Sequence, residues 1–220
     1  MKISELTLYT SDIQSIKNLY SKILGFEIIN ENRDEVSFQT GSTVLIFKST
    51  EGINPFYHYA FNIPSNKIEE AKQFFESKVS FLKESDGNII VDFKNWHAKS
   101  LYFLDPAGNI VEFIARFDLN ENSDEPFSLS QTLSVSEIGI VTRNVPALKK
   151  LLIEKFDVKD FVKSVNSDTF SAMGDDNGLF IVAVDNRNWY PTQISSQIFP
   201  FSVKFINNSG NEFVLTDKDM

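Results

Sequence analysis

The sequence predicts an α+β fold made of repeated β-α-β-β-β modules, and two observations support this prediction. Segments in which polar and apolar residues alternate, as they do in strands, are interrupted by single amphipathic segments with helical spacing. In addition, residues 136–142 (SEIGIVT) repeat residues 4–10 (SELTLYT) almost letter for letter. Internal repetition is a stronger indication of fold than any local propensity, so we expect several copies of one unit.

The first module is predicted over residues 1–50. Residues 3–10 alternate with the period of a strand, and Asp12 then provides an N-cap for a short helix that ends at Gly25. The apolar side of that helix consists of Ile13, Ile16, Tyr20, Ile23 and Leu24. Three strands separated by polar turns follow, at residues 26–29, 35–40 and 43–48.

The second module is predicted over residues 55–116. A strand at 57–63 precedes a helix that Ser65 is predicted to cap, and the apolar side of this helix consists of Ile68, Ala71, Phe74 and Phe75. Further strands are expected near residues 89–93, 99–104 and 109–116. Residues 1–116 are therefore predicted to form one complete domain of two modules.

The composition changes over residues 117–133, where acidic residues and a proline indicate a linker. Beyond it, residues 134–184 repeat the first strand and helix and add strands near 170–173 and 179–184. The tail, 186–220, is too short for a fourth module and is expected to keep only two closing strands, at 202–206 and 212–215. Residues 134–220 are thus predicted to be a partial second domain.

The composition also excludes several classes of function. The chain has 220 residues, 21 of them basic and 30 acidic, and a net charge of −9 argues against nucleic acid or a membrane surface as a partner. The absence of cysteine excludes disulfides, thiolate metal ligands and cysteine nucleophiles. The chain begins with a strand pattern rather than a signal segment, so a cytoplasmic location is expected.

Glu112 is the residue that most needs a partner. It stands between Val111 and Phe113 in an apolar strand, where a buried carboxylate is costly unless a cation or a hydrogen-bond donor meets it. A lysine or an arginine would meet that need, and so would a metal ion. Glu5 and His58 each lie on the smaller, more polar face of their strand, which makes both available to a shared site.

Several motifs together resemble the vicinal oxygen chelate superfamily, which includes glyoxalase I, the extradiol ring-cleaving dioxygenases, and the bleomycin and fosfomycin resistance proteins. These motifs are the repeated module, the helix end Leu24-Gly25-Phe26, and a hairpin turn at residues 105–109 (DPAGN) followed by Glu112. In that superfamily, two modules form a cupped mixed β-sheet around a pocket. Metal ligands lie on the first and last strands of each module. The resemblance implies the same architecture here.

By position, the resemblance assigns Glu5, His58 and Glu112 as ligands of one divalent metal ion. The fourth ligand position falls near Leu45 or Phe47, neither of which can bind a metal. One histidine and two carboxylates suit Zn, Mn, Fe or Ni. This set differs from the two histidines and one carboxylate of the ring-cleaving dioxygenases.

Tyr102 and His97 are further candidates for a catalytic role. Tyr102 lies where the extradiol enzymes carry a pocket tyrosine, and its hydroxyl could bind a substrate oxygen; the simpler interpretation is a strand aromatic. His97 could act as an acid or base in the pocket, or it could lie exposed at the entrance of a strand.

Glu137 repeats Glu5 but has no histidine in its own segment, so the second domain is predicted to lack the site. That domain is expected to cover the open cup of the first or to form an interface. Candidate contact residues are Arg187 and Trp189.

The function that the resemblance implies is that of a metal-dependent enzyme that chelates the vicinal oxygens of a small substrate. Lyase or isomerase chemistry, with Glu112 carrying a proton, and ring cleavage by a dioxygenase both remain open. The alternative is a metal-free protein that binds a small molecule in an aromatic cup, as the resistance proteins do. A protein that has kept the fold and lost the site is a third interpretation, and a homodimer is left open.

Overall fold

The computed structural model describes all 220 residues, which form two mixed β-sheets with few helices. The strands are β1 (Lys2–Thr10), β2 (Glu27–Glu31), β3 (Glu35–Thr40), β4 (Thr43–Ser49), β5 (His58–Ile63), β6 (Val91–Phe93), β7 (Ala98–Leu104), β8 (Ile110–Arg116), β9 (Ser134–Thr142), β10 (Phe170–Asp175), β11 (Gly178–Val184), β12 (Ser202–Ile206) and β13 (Glu212–Thr216). The α-helices are α1 (Ile13–Lys17), which continues as a π-helical turn (Asn18–Leu24), α2 (Ile68–Phe75) and α3 (Val145–Phe156).

Local sequence explains the ends of these helices. The Asp12 carboxylate caps α1 by accepting a hydrogen bond from the backbone N–H of Ser15, and Gly25 ends the π-helical turn with a φ of 103° that favours glycine. The Asn144 side chain caps α3 in the same way, by accepting from the N–H of Ala147. No helix is long and apolar enough to cross a bilayer.

The first sheet joins the two ends of the chain. Its six strands follow the order β13-β12-β1-β4-β3-β2, so the first module continues into the C-terminal hairpin through an antiparallel pairing of β1 with β12. In the second sheet, the order is β10-β11-β9-β5-β8-β7-β6. Here the second module continues into the third through an antiparallel pairing of β5 with β9.

The order of strands in the two sheets differs from the expected one, in which residues 1–116 close a cup by themselves. The first and second modules lie in different sheets, and each completes its sheet with a segment from beyond residue 133. The physical reason is that strand edges pair through backbone groups common to all residues. The sequence pattern identifies strands and their faces, but it does not say which edge meets which.

The C-terminal hairpin also differs in its position. Both of its strands form where they were predicted, but β12 runs antiparallel beside β1 just as β9 runs beside β5. By position, β12 therefore replaces the first strand of a fourth module, whereas the sequence suggested that only the closing strands remain.

The segment between β8 and β9 is packed against the second module. The carbonyl of Glu121 accepts a hydrogen bond from the N–H of Ser65, and the N–H of Phe127 donates to Glu70. Phe127 and Leu129 are buried. The segment is thus anchored along its length, unlike a flexible tether.

One apolar core of 42 buried residues connects the two sheets. Aromatic rings dominate it: Phe61 stacks on Phe113 with ring centroids 4.9 Å apart, and Phe75 lies 4.5 Å from the same ring. Buried hydroxyl groups also connect the first module with the second. The Tyr20 hydroxyl, on the π-helical turn, contacts the Tyr59 hydroxyl and donates to Asp105 at 3.0 Å.

A fragment that contains only residues 1–116 should not fold as a monomer. Without the remaining chain, β1 loses β12 and β5 loses β9, and both strands become unpaired edges. Gel filtration and circular dichroism should show aggregation, and co-expression with residues 117–220 should restore a soluble complex. A monomeric fragment with cooperative unfolding would instead support the domain division predicted from the sequence.

Candidate metal centre

Three strands in the middle of the second sheet bring one histidine and two carboxylates together. β5 lies between β8 and β9, and Ala60 is in register with Glu112 on one side and with Glu137 on the other. His58, two residues before Ala60, projects from the same face. Its Nε2 atom lies 3.5 Å from Oε2 of Glu112 and 3.7 Å from Oε2 of Glu137.

Each of the three side chains uses one atom for an outer partner and turns another atom towards the common centre. His58 Nδ1 lies 3.1 Å from the carbonyl of Ile110, which indicates the tautomer in which Nδ1–H donates and Nε2 is unprotonated. The Ser100 hydroxyl donates to Oε1 of Glu112 at 2.5 Å. Arg116 Nη2 donates to Oε1 of Glu137. The inward atoms are therefore Nε2 and the two Oε2 atoms.

These inward atoms fit a divalent ion. One ligand atom from each of His58, Glu112 and Glu137 lies within 4.8 Å of the others. Bonds of about 2.0–2.2 Å at tetrahedral angles separate neighbouring ligand atoms by about 3.3–3.6 Å, close to the distances from His58. Outer hydrogen bonds that orient each ligand are also typical of metal centres. The group can therefore bind a metal.

Without a metal, the cluster is electrostatically costly. His58 is 6% exposed, and Glu112 and Glu137 are each 2% exposed. Burial, with the charge of Glu137, raises the pKa of Glu112 to about 7, against the lowering effects of His58 and Ser100. Burial disfavours a charged His58, but the two carboxylate charges that face its Nε2 atom raise its pKa.

Arg116 compensates one of the two carboxylates. It is 1% exposed, and besides its contact with Glu137 it donates from Nε to Asn62 at 3.2 Å and lies 3.4 Å from Asp176. Lys163 extends this network towards the surface at 2.6 Å from Asp176. Glu137 is thus paired with a cation, whereas Glu112 has only neutral donors and His58 beside it.

Aromatic side chains cover the centre. Tyr102, which is 3% exposed, faces Glu112 from β7, and the burial of its hydroxyl beside Glu112 and Glu137 raises its pKa. The Trp189 ring lies 5.4 Å from the His58 ring, between centroids, and Tyr190 packs edge-on against Tyr102. The sequence predicted Trp189 as a contact residue that either covers the cup or forms an interface, and its ring lies over the cluster.

The structure does not bring Glu5 to this cluster. Glu5 lies on β1 in the other sheet, where its carboxylate accepts a hydrogen bond from Lys204 at 3.0 Å. Its assignment assumed that the first and second modules share a cup. Because β5 pairs with β9 instead, Glu137 takes the place predicted for Glu5, and the expectation that Glu137 lies outside the site was wrong.

The fourth ligand position moves for the same reason. In the second module, Glu112 is in register with Ala60, which lies two residues after His58. In the third module, Ile181 on β11 is in register with Gly139, which lies two residues after Glu137. Ile181 therefore occupies the position that corresponds to Glu112. The candidate is therefore Ile181 and not Leu45 or Phe47. Like them, it cannot bind a metal, so the cluster offers three candidate ligands.

His97 lies away from the cluster. A 3₁₀ turn (Lys94–Trp96) precedes it, its φ is 51°, and its ring is 62% exposed and bound to Asp118 at 2.6 Å. A role as pocket acid or base does not fit this position. Of the residues predicted for the site, the structure groups His58, Glu112 and Tyr102.

The fold is shared with solved structures. A putative dioxygenase from Bacillus subtilis has a TM-score of 0.62 and 12% sequence identity, with 98% of this chain and 84% of that chain covered. A variant of glyoxalase I from Zea mays has a TM-score of 0.57 and 10% identity, with 99% and 93% covered. The chain thus has the fold of the vicinal oxygen chelate superfamily, as the sequence motifs predicted.

The sequence itself matches no protein-family model and no curated protein.

Glu112→Gln and Glu137→Gln, made as separate variants, should have opposite effects on the free energy of unfolding in the presence of EDTA. The pKa of Glu112 is about 7 in the folded protein against an ordinary value of 4.5. Its contribution to folding is therefore present below pH 4.5 and lost as the pH rises through 7. Glu112→Gln should raise the free energy of unfolding at pH 8, by up to about 3 kcal/mol, and change it little at pH 4.

Glu137→Gln should lower the free energy of unfolding by about 3 kcal/mol at pH 8, because it removes the closest compensating charge from the buried Arg116 and leaves only Asp176 at 3.4 Å. Urea denaturation of both variants at the two pH values measures these effects. Equal losses of stability in the two variants at pH 8 would contradict the unequal pairing of the carboxylates.

Proposed function

We propose that the chain is a metal-dependent enzyme of the vicinal oxygen chelate type, in which His58, Glu112 and Glu137 hold one divalent ion. The observation that supports this most directly is the arrangement of three inward donor atoms, each on a side chain whose other polar atom has an outer partner. Zn, Mn, Fe and Ni all suit one imidazole and two carboxylates. A bound ion would polarise two adjacent oxygens of a small substrate and favour loss of a neighbouring proton.

The protein's own groups suit proton transfer. Glu112 is the proposed proton carrier, because its outer partner is the neutral Ser100 hydroxyl and its carboxylate, unlike that of Glu137, is not held by an arginine. Ser100 fixes its orientation by donating to Oε1. Tyr102 keeps its hydroxyl proton because burial raises its pKa, so it is a hydrogen-bond donor for a substrate oxygen.

Lyase or isomerase chemistry fits this site better than ring cleavage does. The ligand set has two carboxylates and one histidine. Ring cleavage would need both Tyr102 and His97 in the pocket, and His97 lies at the surface. Glu137 is held by Arg116 and is therefore the fixed ligand, while Glu112 has neutral outer partners and is free to change protonation.

Metal-free binding of a small molecule is the second candidate function. Arg116 supplies a permanent positive charge to Glu137, and Ser100 supplies a hydrogen bond to Glu112, so part of the cost of burial is offset without a metal. The rings of Trp189 and Tyr102 would then form the aromatic wall of a ligand site.

Elemental analysis of untagged, dialysed protein separates the two candidates. We expect close to one equivalent of metal in the wild type and a loss of that metal in the double variant His58→Ala, Glu112→Gln. Glu5→Gln is a matched control, because Glu5 is paired with Lys204 in the other sheet, and this variant should retain the metal.

Absence of metal from the wild type, even after divalent ions are added back, would overturn the enzyme proposal and favour metal-free binding. A metal that Glu5→Gln removes and the double variant retains would show that the ion binds elsewhere.

A further inference from the structure

Arg116, the cation that holds the carboxylate of Glu137, is shared between two carboxylates. Its Nη2 atom donates to Oε1 of Glu137, and its Nη1 atom lies 3.4 Å from Oδ1 of Asp176. The Arg116 side chain is 0% exposed, so water does not screen either contact. One positive charge therefore faces two negative ones, and a stronger pull from Asp176 would weaken the hold on Glu137.

The backbone of Asp176 is fixed relative to Arg116. Asn62 accepts a hydrogen bond from Nε of Arg116 at 3.2 Å, and its amide donates to the carbonyl of Asp176 at 2.9 Å. Asp176 also lies in the tight turn between β10 and β11, where Asp175 pairs with Gly178. Because the backbone is held at both points, the carboxylate of Asp176 is the part that can move closer to Arg116.

Lys163 holds that carboxylate from the other side. Its Nζ atom lies 2.6 Å from Oδ2 of Asp176 and 2.6 Å from Oδ2 of Asp118, and its side chain is 19% exposed. Partial burial would lower the pKa of Lys163, but the two carboxylates raise it, so the ammonium keeps its charge. Lys163 and Arg116 thus bind different oxygens of Asp176.

We propose that Lys163 is a positioning residue, which holds Asp176 and so keeps the guanidinium of Arg116 on the metal ligand Glu137. Charges alternate along this path, from Lys163 through Asp176 and Arg116 to the buried ligand. Without the ammonium, Asp176 would draw the guanidinium towards itself, because Arg116 is its only other cationic partner. The proposal rests on the proposed function only in naming Glu137 as a metal ligand.

The path lets a residue outside the cluster control a ligand. Loss of an outer hydrogen-bond partner of a metal ligand lowers metal affinity by about 10–100-fold. A guanidinium that turns from Glu137 to Asp176 removes such a partner without any change in the ligands themselves. Lys163 therefore acts on Glu137 although its own hydrogen bonds go to Asp176 and to the carbonyl of Trp96.

A double-mutant cycle in EDTA tests the path without any metal. Lys163→Met should raise the unfolding equilibrium constant of the wild type about tenfold, since it removes a charged hydrogen-bond donor from Asp176. In the Glu137→Gln background, no second carboxylate competes for Arg116, so its charge can replace that of Lys163 beside Asp176. In that background, Lys163→Met should raise the constant only about twofold.

Lys149→Met is the matched control for the cycle. The Lys149 side chain is 22% exposed and forms an ion pair with Asp160 at 2.8 Å, away from this path. Its effect should be the same in both backgrounds, as for independent sites. Trimethylamine N-oxide stabilises folded states, so urea denaturation in its presence keeps the Glu137→Gln variants measurable. An equal effect of Lys163→Met in both backgrounds would refute the path.

Co²⁺ binding, followed by the visible spectrum of the ion, tests the consequence for the ligand. Lys163→Met should weaken Co²⁺ binding about tenfold, Lys163→Arg should restore it, and Lys149→Met should leave it unchanged. An ammonium that acted only through its charge would repel the ion, so its removal would tighten Co²⁺ binding. Unchanged or tighter binding in Lys163→Met would therefore overturn the positioning role. Coupling in the cycle, in a wild type that binds no Co²⁺, would refute the proposed function alone.

Discussion

The antiparallel pairing of β5 with β9 is the contact on which the candidate site depends. It places Glu137 in register with Ala60, and so within 3.7 Å of His58, although the residues are far apart in sequence. The parallel pairing of β5 with β8 adds Glu112 from the other side. The site thus belongs to the junction of two modules, and any change that shifts this register by one residue would turn Glu137 to the opposite face.

Charge compensation then distinguishes the two carboxylates. Arg116 neutralises Glu137, and both side chains are buried. Asn62 and Asp176 are further partners of Arg116. Glu112 has a hydroxyl donor and no such cation, so burial and the charge of Glu137 raise its pKa despite the opposing effect of Ser100. One carboxylate compensated by a cation and a second one met by neutral donors form an arrangement suited to holding an ion and moving a proton.

Much of this could be predicted from the sequence. Strand alternation placed His58 on a polar face, and the apolar neighbours of Glu112 showed that it needed a partner. The choice of Glu5 over Glu137 failed because both occupy the same position in their repeats, and only the pairing of strand edges distinguishes them. The exposure of His97 depends on a left-handed backbone conformation that its sequence context does not specify.

Anomalous diffraction from crystals soaked in Mn²⁺ tests the central claim most directly, because it locates an ion rather than counting it. The account predicts one strong peak within coordination distance of Nε2 of His58 and the Oε2 atoms of Glu112 and Glu137. The contradicting result is a saturated soak with no peak between these three residues, or with the peak beside Glu5 in the other sheet.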